Sequence, residues 1–89
     1  MRRAARVDGN QAEIVFVLRQ LGATVQPLSA VGGGCPDLLV GWRGKNWLME
    51  VKDPEGEDKI APTQKVWHDG WRGQVVVVRS PAEAVDVLM

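Results

Sequence analysis

An α/β domain, one sheet with helices packed on it in the order α-β-β-β-α-β-α, is predicted by three observations on this sequence. Apolar residues recur at helical spacing near both ends of the chain. Short runs rich in Leu, Val and Trp sit between glycine-marked turns in the middle, and Val75 to Val78 is an unbroken β-branched run between two helical patterns. Helical and strand periods alternating along one short chain place helices on a sheet rather than in a bundle.

In the first element, Ile14, Val17, Leu18 and Leu21 fall at i, i+3, i+4 and i+7, and Gly22 stands at the C-cap position of a helix from Gln11 to Leu21. Asn10, three residues ahead of Glu13, has the spacing at which cap and acid satisfy each other's backbone N–H groups. Ala23 to Leu28 reads as a short strand. After Gly32-Gly33-Gly34, Asp37 to Trp42 reads as a second strand, Gly44-Lys45-Asn46 as a turn, and Trp47 to Lys52 as the returning hairpin strand. Asp53 to Lys59, the longest polar interruption, is a loop inside the domain. Pro62, at a first helical position, opens a short amphipathic helix through Gln64, Val66 and Trp67 that Gly70 or Gly73 closes. Val75 to Val78 is a buried strand. Ser80-Pro81-Ala82-Glu83 then supplies a capping serine, a first-turn proline and an N3 glutamate ahead of Ala84, Val85 and Leu88.

The 89 residues make one domain, 1–89, and 45% hydrophobic with 25% charged residues is the composition of a chain that folds. A single cysteine, Cys35, excludes an intramolecular disulfide framework, and with His68 as the one histidine no Cys/His zinc site can be assembled. A reducing, cytoplasmic setting is expected. The basic start lacks a following apolar stretch, and no apolar run approaches the ~20 residues needed to span a bilayer, so neither secretion nor membrane insertion is expected. Eleven Lys and Arg against eleven Asp and Glu leave no net charge, so any grip on nucleic acid must come from local clustering. A chain of this size buries only about 60–70% of its unfolded surface, and a homodimer would relieve that thin margin.

The chemistry concentrates on the hairpin. Glu50 and Lys52 are two apart on one strand and share a face, while Asp37 stands at the mouth of the other strand, 50 − 37 = 13 residues away and brought close by the turn. Burying an acid and an amine in the apolar run Leu48 to Lys52 costs several kcal/mol per ion unless they are paired or hold a metal. Two carboxylates offer hard oxygen ligands suited to Mg²⁺ or Mn²⁺, and phosphodiester hydrolysis is the matching reaction. The bland alternative is a cross-strand ion-paired stripe on an exposed sheet face, and Glu-x-Lys alone has little specificity.

Pro36-Asp37 followed by Glu50-Val51-Lys52, with the glycine-rich approach before and Gln64 after, resembles the PD-(D/E)XK nuclease superfamily. Within it the chain is similar to stand-alone members of the VRR-NUC family, from about Asn10 through the last strand. The resemblance implies a restriction-endonuclease-like mixed sheet flanked by helices, with Asp37 and Glu50 binding the metal, the Val51 carbonyl as a further ligand, Lys52 catalytic and Gln64 near the site. It also implies a Glu in the first helix near the metals, a place that Gln11 or Glu13 would take here. Ala61 stands before Pro62 where a Thr cap is expected, which leaves that helix start under-capped by about 1 kcal/mol. The expected function is a metal-dependent, structure-selective DNA endonuclease acting on four-way (Holliday) junctions as a homodimer. The alternatives are a general nicking or flap nuclease and a catalytically silent DNA-binding module.

Other residues read more plainly. Glu13 weighs more as a capping acid than as a ligand, and Cys35 more as a small filler than as a nucleophile. His68 is expected at a core edge or partly exposed rather than as a general base. Gly32 to Gly34 lacks the Lys-Ser/Thr of a phosphate-binding loop, so no nucleotide cofactor is expected, and a flexible lip beside the substrate is the better functional reading. DNA-contact candidates are Arg2, Arg3, Arg6, Arg43, Lys45, Lys59 and Lys65, gathering near the hairpin tip and the Gln64 helix. Trp42, Trp47, Trp67 and Trp71 are expected as core or dimer-interface anchors.

Overall fold

The computed structural model describes residues 9–55 and 60–89. Seven elements follow in the expected order: α1 (Gln11–Leu21), β1 (Thr24–Pro27), β2 (Leu38–Trp42), β3 (Lys45–Val51), α2 (Pro62–Gly70), β4 (Val75–Val78) and α3 (Pro81–Leu88). The strands lie side by side as β1-β2-β3-β4, the first three antiparallel and β4 parallel to β3. A parallel neighbour cannot be reached by a tight turn, and α2 is the crossover that makes the pairing possible.

Strand alternation sorts the sheet into two faces. The pairs Val25↔Val40, Leu38↔Met49, Val40↔Trp47, Met49↔Val76 and Val51↔Val78 put one continuous apolar set on one side. Ile14 and Leu18 of α1 with Ala84 and Leu88 of α3 complete that core, and the two helices pack against each other. Ile14, Leu18, Leu38 and Met49 are fully enclosed, each worth about 1.5–3 kcal/mol of burial. The other face carries Leu39, Leu48 and Glu50, and α2 reaches it through a hydrogen bond from Gln64 to Glu50.

Three local expectations are corrected. The hairpin turn is Arg43-Gly44, both at positive φ (50° and 77°), while Lys45 and Asn46 pair with Trp42 and Gly41 inside the ladder. A two-residue turn with both centres left-handed matches the strand twist, and the Arg43 guanidinium lies 4.2 Å from the Trp42 ring centroid, a contact that offsets the strain at a non-glycine residue. Asn10 does not cap α1 with its side chain. Its Nδ2 donates instead to the carbonyls of Lys52 (3.1 Å) and Arg79 (3.0 Å), which ties the start of α1 to the ends of β3 and β4. Glu13, left without that reciprocal bond, is exposed. The first strand is also shorter than Ala23 to Leu28, beginning at Thr24 and ending at Pro27. At α3 the capping pattern is present: Ser80 Oγ accepts from Glu83 N at 3.1 Å, and the Glu83 carboxylate accepts from Arg79 N at 2.8 Å.

Gly32, Gly33 and Gly34 all have positive φ, and Gly34 is pressed against α2. A Cβ on Gly34 would overlap the Thr63 carbonyl and lie 3.1 Å from Trp67 Cβ, whereas one on Gly33 meets nothing within 4 Å. Both substitutions strain a left-handed backbone by about 1–2 kcal/mol, and Gly34→Ala adds overpacking of about 1–3 kcal/mol. Urea denaturation is expected to show Gly34→Ala as the more destabilising of the two by that second amount. Equal losses would mean that the loop does not bear on α2.

Candidate active site

β2 and β3 run antiparallel, so Asp37, just before β2, comes beside the end of β3. Its Oδ2 accepts from Val51 N at 2.8 Å. Glu50 ends the apolar run of β3 and is 2% exposed, although it is an acid. Gln64, in the first turn of α2, donates from Nε2 to Glu50 Oε2 at 2.7 Å. Gln64 Oε1 accepts from Lys52 Nζ at 2.9 Å and from Ala61 N at 3.1 Å. Lys52 Nζ is 3.5 Å from Glu50 Oε2. Asp37, Glu50, Lys52 and Gln64 therefore line one cleft of about 400 Å³, walled on its other side by Gly32 to Gly34 and Cys35. The glycine segment, expected as a flexible lip, is a fitted wall at Gly34, where the backbone lies against Thr63 and Trp67 of α2.

The electrostatics are unbalanced. Burial, and then the negative charge of Asp37, push the Glu50 carboxyl up to about 7, against a smaller opposing pull from Lys52. Glu50 Oε1 is buried with no hydrogen-bond partner. A buried, partnerless carboxylate oxygen next to a second carboxylate costs free energy until a proton or a cation joins it. Among the described residues no three His, Cys, Asp or Glu side chains are grouped so that they alone could hold a metal ion. The acidic groups that meet here are two carboxylates, and oxygen donors of this kind suit a hard divalent cation.

Gln64 also repairs the helix start. Ala61 has no side chain to cap α2, and Gln64 Oε1 takes the Ala61 N–H while binding Lys52, so one amide oxygen serves both the helix terminus and the cleft. Of the two α1 candidates, Gln11 is 6% exposed with Oε1 unpartnered, and Glu13 faces solvent. Gln11 does not line the cleft; it lines a separate depression with Ala12, Val15, Phe16 and Pro27.

His68 was not singled out for the cleft on sequence. It is half-buried, meets Trp67 edge-on at 6.0 Å between ring centroids, and its Nε2 lacks a partner. Burial, then the charge of Lys52, hold the imidazole below its ordinary value. His68 is four residues after Gln64 on α2 but is not among the residues that line the cleft. Cys35 lines the cleft, but burial and the charges of Asp37 and Glu50 push its thiol up, which makes it a poor nucleophile.

Among the described residues, the basic candidates Arg43, Lys45 and Lys65 do not form one cluster. Arg43 and Lys45 sit at the hairpin tip, about 20 Å along β3 from Lys52 by strand rise. Lys65 on α2 is paired with Asp69 at 3.0 Å. Arg2, Arg3, Arg6 and Lys59 lie outside the described residues. Of the tryptophans, Trp47 is core and Trp42 packs against it, but Trp71 is exposed and stacks on Trp67. No helix among the described residues is long and apolar enough to cross a membrane.

No family model matches this sequence, and no curated protein matches it. A solved structure described as a VRR-NUC domain does: it is 33% identical, the match covers 88% of each chain, and the TM-score is 0.66. Its mixed sheet and flanking helices are therefore shared over nearly the whole length of both chains, and with that identity this chain belongs to the VRR-NUC family and has its nuclease-type fold.

Proposed function

We propose that this protein is a divalent-metal-dependent DNA endonuclease that hydrolyses phosphodiester bonds in branched DNA, four-way junctions above all, as a homodimer. The observation that carries the reading is the buried Glu50, its Oε1 unpartnered, beside Asp37 and within 3.5 Å of the Lys52 ammonium. Asp37, Glu50 and the Val51 carbonyl would hold Mg²⁺ or Mn²⁺. When bound, such an ion supplies activation of water and neutralisation of charge at the phosphate.

The chain's own residues do the rest. Asp37, anchored by Val51 N, cannot swing away from Glu50 without losing that bond. Gln64 fixes Glu50 Oε2 and steadies Lys52, so the ammonium is aimed rather than mobile. A positioned ammonium orients an attacking water and stabilises charge that grows on the phosphate in the transition state. Zero net charge makes the hold on DNA local, so substrate choice falls to the shape of the DNA rather than to its bulk charge.

Incubation with labelled four-way junctions, flaps, single strands and plain duplex, in Mg²⁺, Mn²⁺ or EDTA, tests the reading. Cleavage with either ion, none in EDTA, and junctions cut in preference to duplex are expected. Asp37→Asn is expected to remove both cleavage and the heat of Mn²⁺ binding in calorimetry, since it takes a charge and a hard ligand from the site. DNA binding without cleavage would favour the silent module, and unchanged Mn²⁺ affinity in the variant would reduce the site to an ion-pair stripe. Light scattering tests the dimer.

A further inference from the structure

Three segments lead out of the cleft into a second depression. On β3, Glu50 lines the cleft and Leu48, two residues back on the same face, lines the groove. On α2, Gln64 lines the cleft, while Trp67, three residues on, and Trp71, just past the end of the helix, line the groove. Cys35 lines both. Leu28 and Leu39 complete the walls of a groove of about 430 Å³, within the range of small-ligand sites. Trp67 and Trp71 are stacked, with ring centroids 4.6 Å apart and planes at 17°, and Trp71 is 46% exposed.

We propose that this groove takes an unpaired nucleobase of the substrate strand, stacked against the Trp67–Trp71 pair, next to a phosphate held in the cleft. Among the described residues no charged side chain lines the groove, so these walls offer nothing to a phosphate and suit a neutral planar ring. Asn46 and Gln74 supply amides at the groove that can meet the polar edge of a base. Aromatic faces hold bases with little regard to sequence, which is what a nuclease that reads shape requires. A second copy of the chain is the alternative occupant, and the oligomeric state of the wild type and Trp71→Ala decides between them. The inference rests on the nuclease reading for its substrate, and it narrows that substrate to DNA with an unpaired nucleotide beside the cut, as at flaps and opened junctions.

The test is binding in EDTA, where cleavage plays no part. Fluorescence anisotropy with a short labelled oligothymidylate and with a blunt duplex is compared for the wild type, Trp71→Ala and Leu39→Glu. Both substitutions are at exposed positions, and thermal unfolding checks that each variant folds. Single-strand affinity is expected to fall about 5- to 100-fold in Trp71→Ala, with duplex affinity within about twofold of the wild type. Leu39→Glu, which puts a negative charge in the groove, is expected to do the same. Equal losses on both DNAs, or no loss, would overturn the proposal. A wild-type dimer that dissociates in Trp71→Ala would overturn it in favour of a second copy. Because Asp37→Asn is expected to stop cleavage without touching single-strand binding, failure of the nuclease reading and failure of the groove are separable.

Discussion

Glu50→Gln stabilises the metal-free fold by about 2–3 kcal/mol above pH 7 and has almost no effect near pH 4. The sign follows from the folded carboxyl being raised from 4.5 to about 7 by burial and by Asp37. A raised carboxyl binds its proton more tightly folded than unfolded, so its contribution is fully present below about pH 4.5. It is lost as pH rises through about 7. Gln has nearly the same shape, carries no charge at any pH, and keeps an oxygen to accept the bond from Gln64 Nε2. The wild type should therefore show a fall in stability between pH 4.5 and 7 that the variant lacks, measured by urea denaturation in EDTA. Adding Mn²⁺ at pH 8 should reverse the order, stabilising the wild type by linkage and leaving the variant unmoved. Parallel stability curves from pH 4 to 8 would mean that Glu50 is not a strained carboxylate, and the case for a cation site would lose its main support.

That strain marks the limit of what could be read from the sequence. The hairpin, the last strand and the capped terminal helix were legible because each is a local pattern: alternation ending in a turn, a β-branched run, Ser-Pro-x-Glu, although the last strand is buried only at Val78 rather than throughout. Juxtaposition of Asp37, Glu50 and Lys52 followed from strand period and a turn, so the site's outline was legible too. What could not be read are contacts set by tertiary packing. Asn10 has the sequence of a cap and the role of a strut, because two carbonyls from β3 and β4 come within reach only in the folded chain. The turn moved to Arg43-Gly44 because a side chain, Trp42, was there for Arg43 to lie on. Gln64 serves three partners at once, and nothing in its sequence neighbourhood requires that. Trp67 and Trp71 have a spacing that suits a buried face equally well, yet Trp71 is exposed and stacks on Trp67.

On the proposed reading, Lys52→Ala is expected to lower turnover by at least about 10²–10³-fold, the loss seen when one well-placed electrostatic donor is removed from a transition state. Lys52 has a second, separable duty. Its charge opposes the burial and the Asp37 repulsion that protonate Glu50, so its removal raises Glu50 further and weakens cation binding near neutral pH. Raising the pH and saturating with Mn²⁺ should correct that second defect, since both restore the ionised carboxylate. They cannot return an ammonium to the place where phosphate charge develops. Turnover of Lys52→Ala on branched DNA at pH 9 and saturating Mn²⁺ should therefore remain depressed, with DNA affinity close to that of the wild type. Recovery to wild-type rates under those conditions would show that the lysine only keeps Glu50 charged, and its catalytic assignment would fall while the metal site stood.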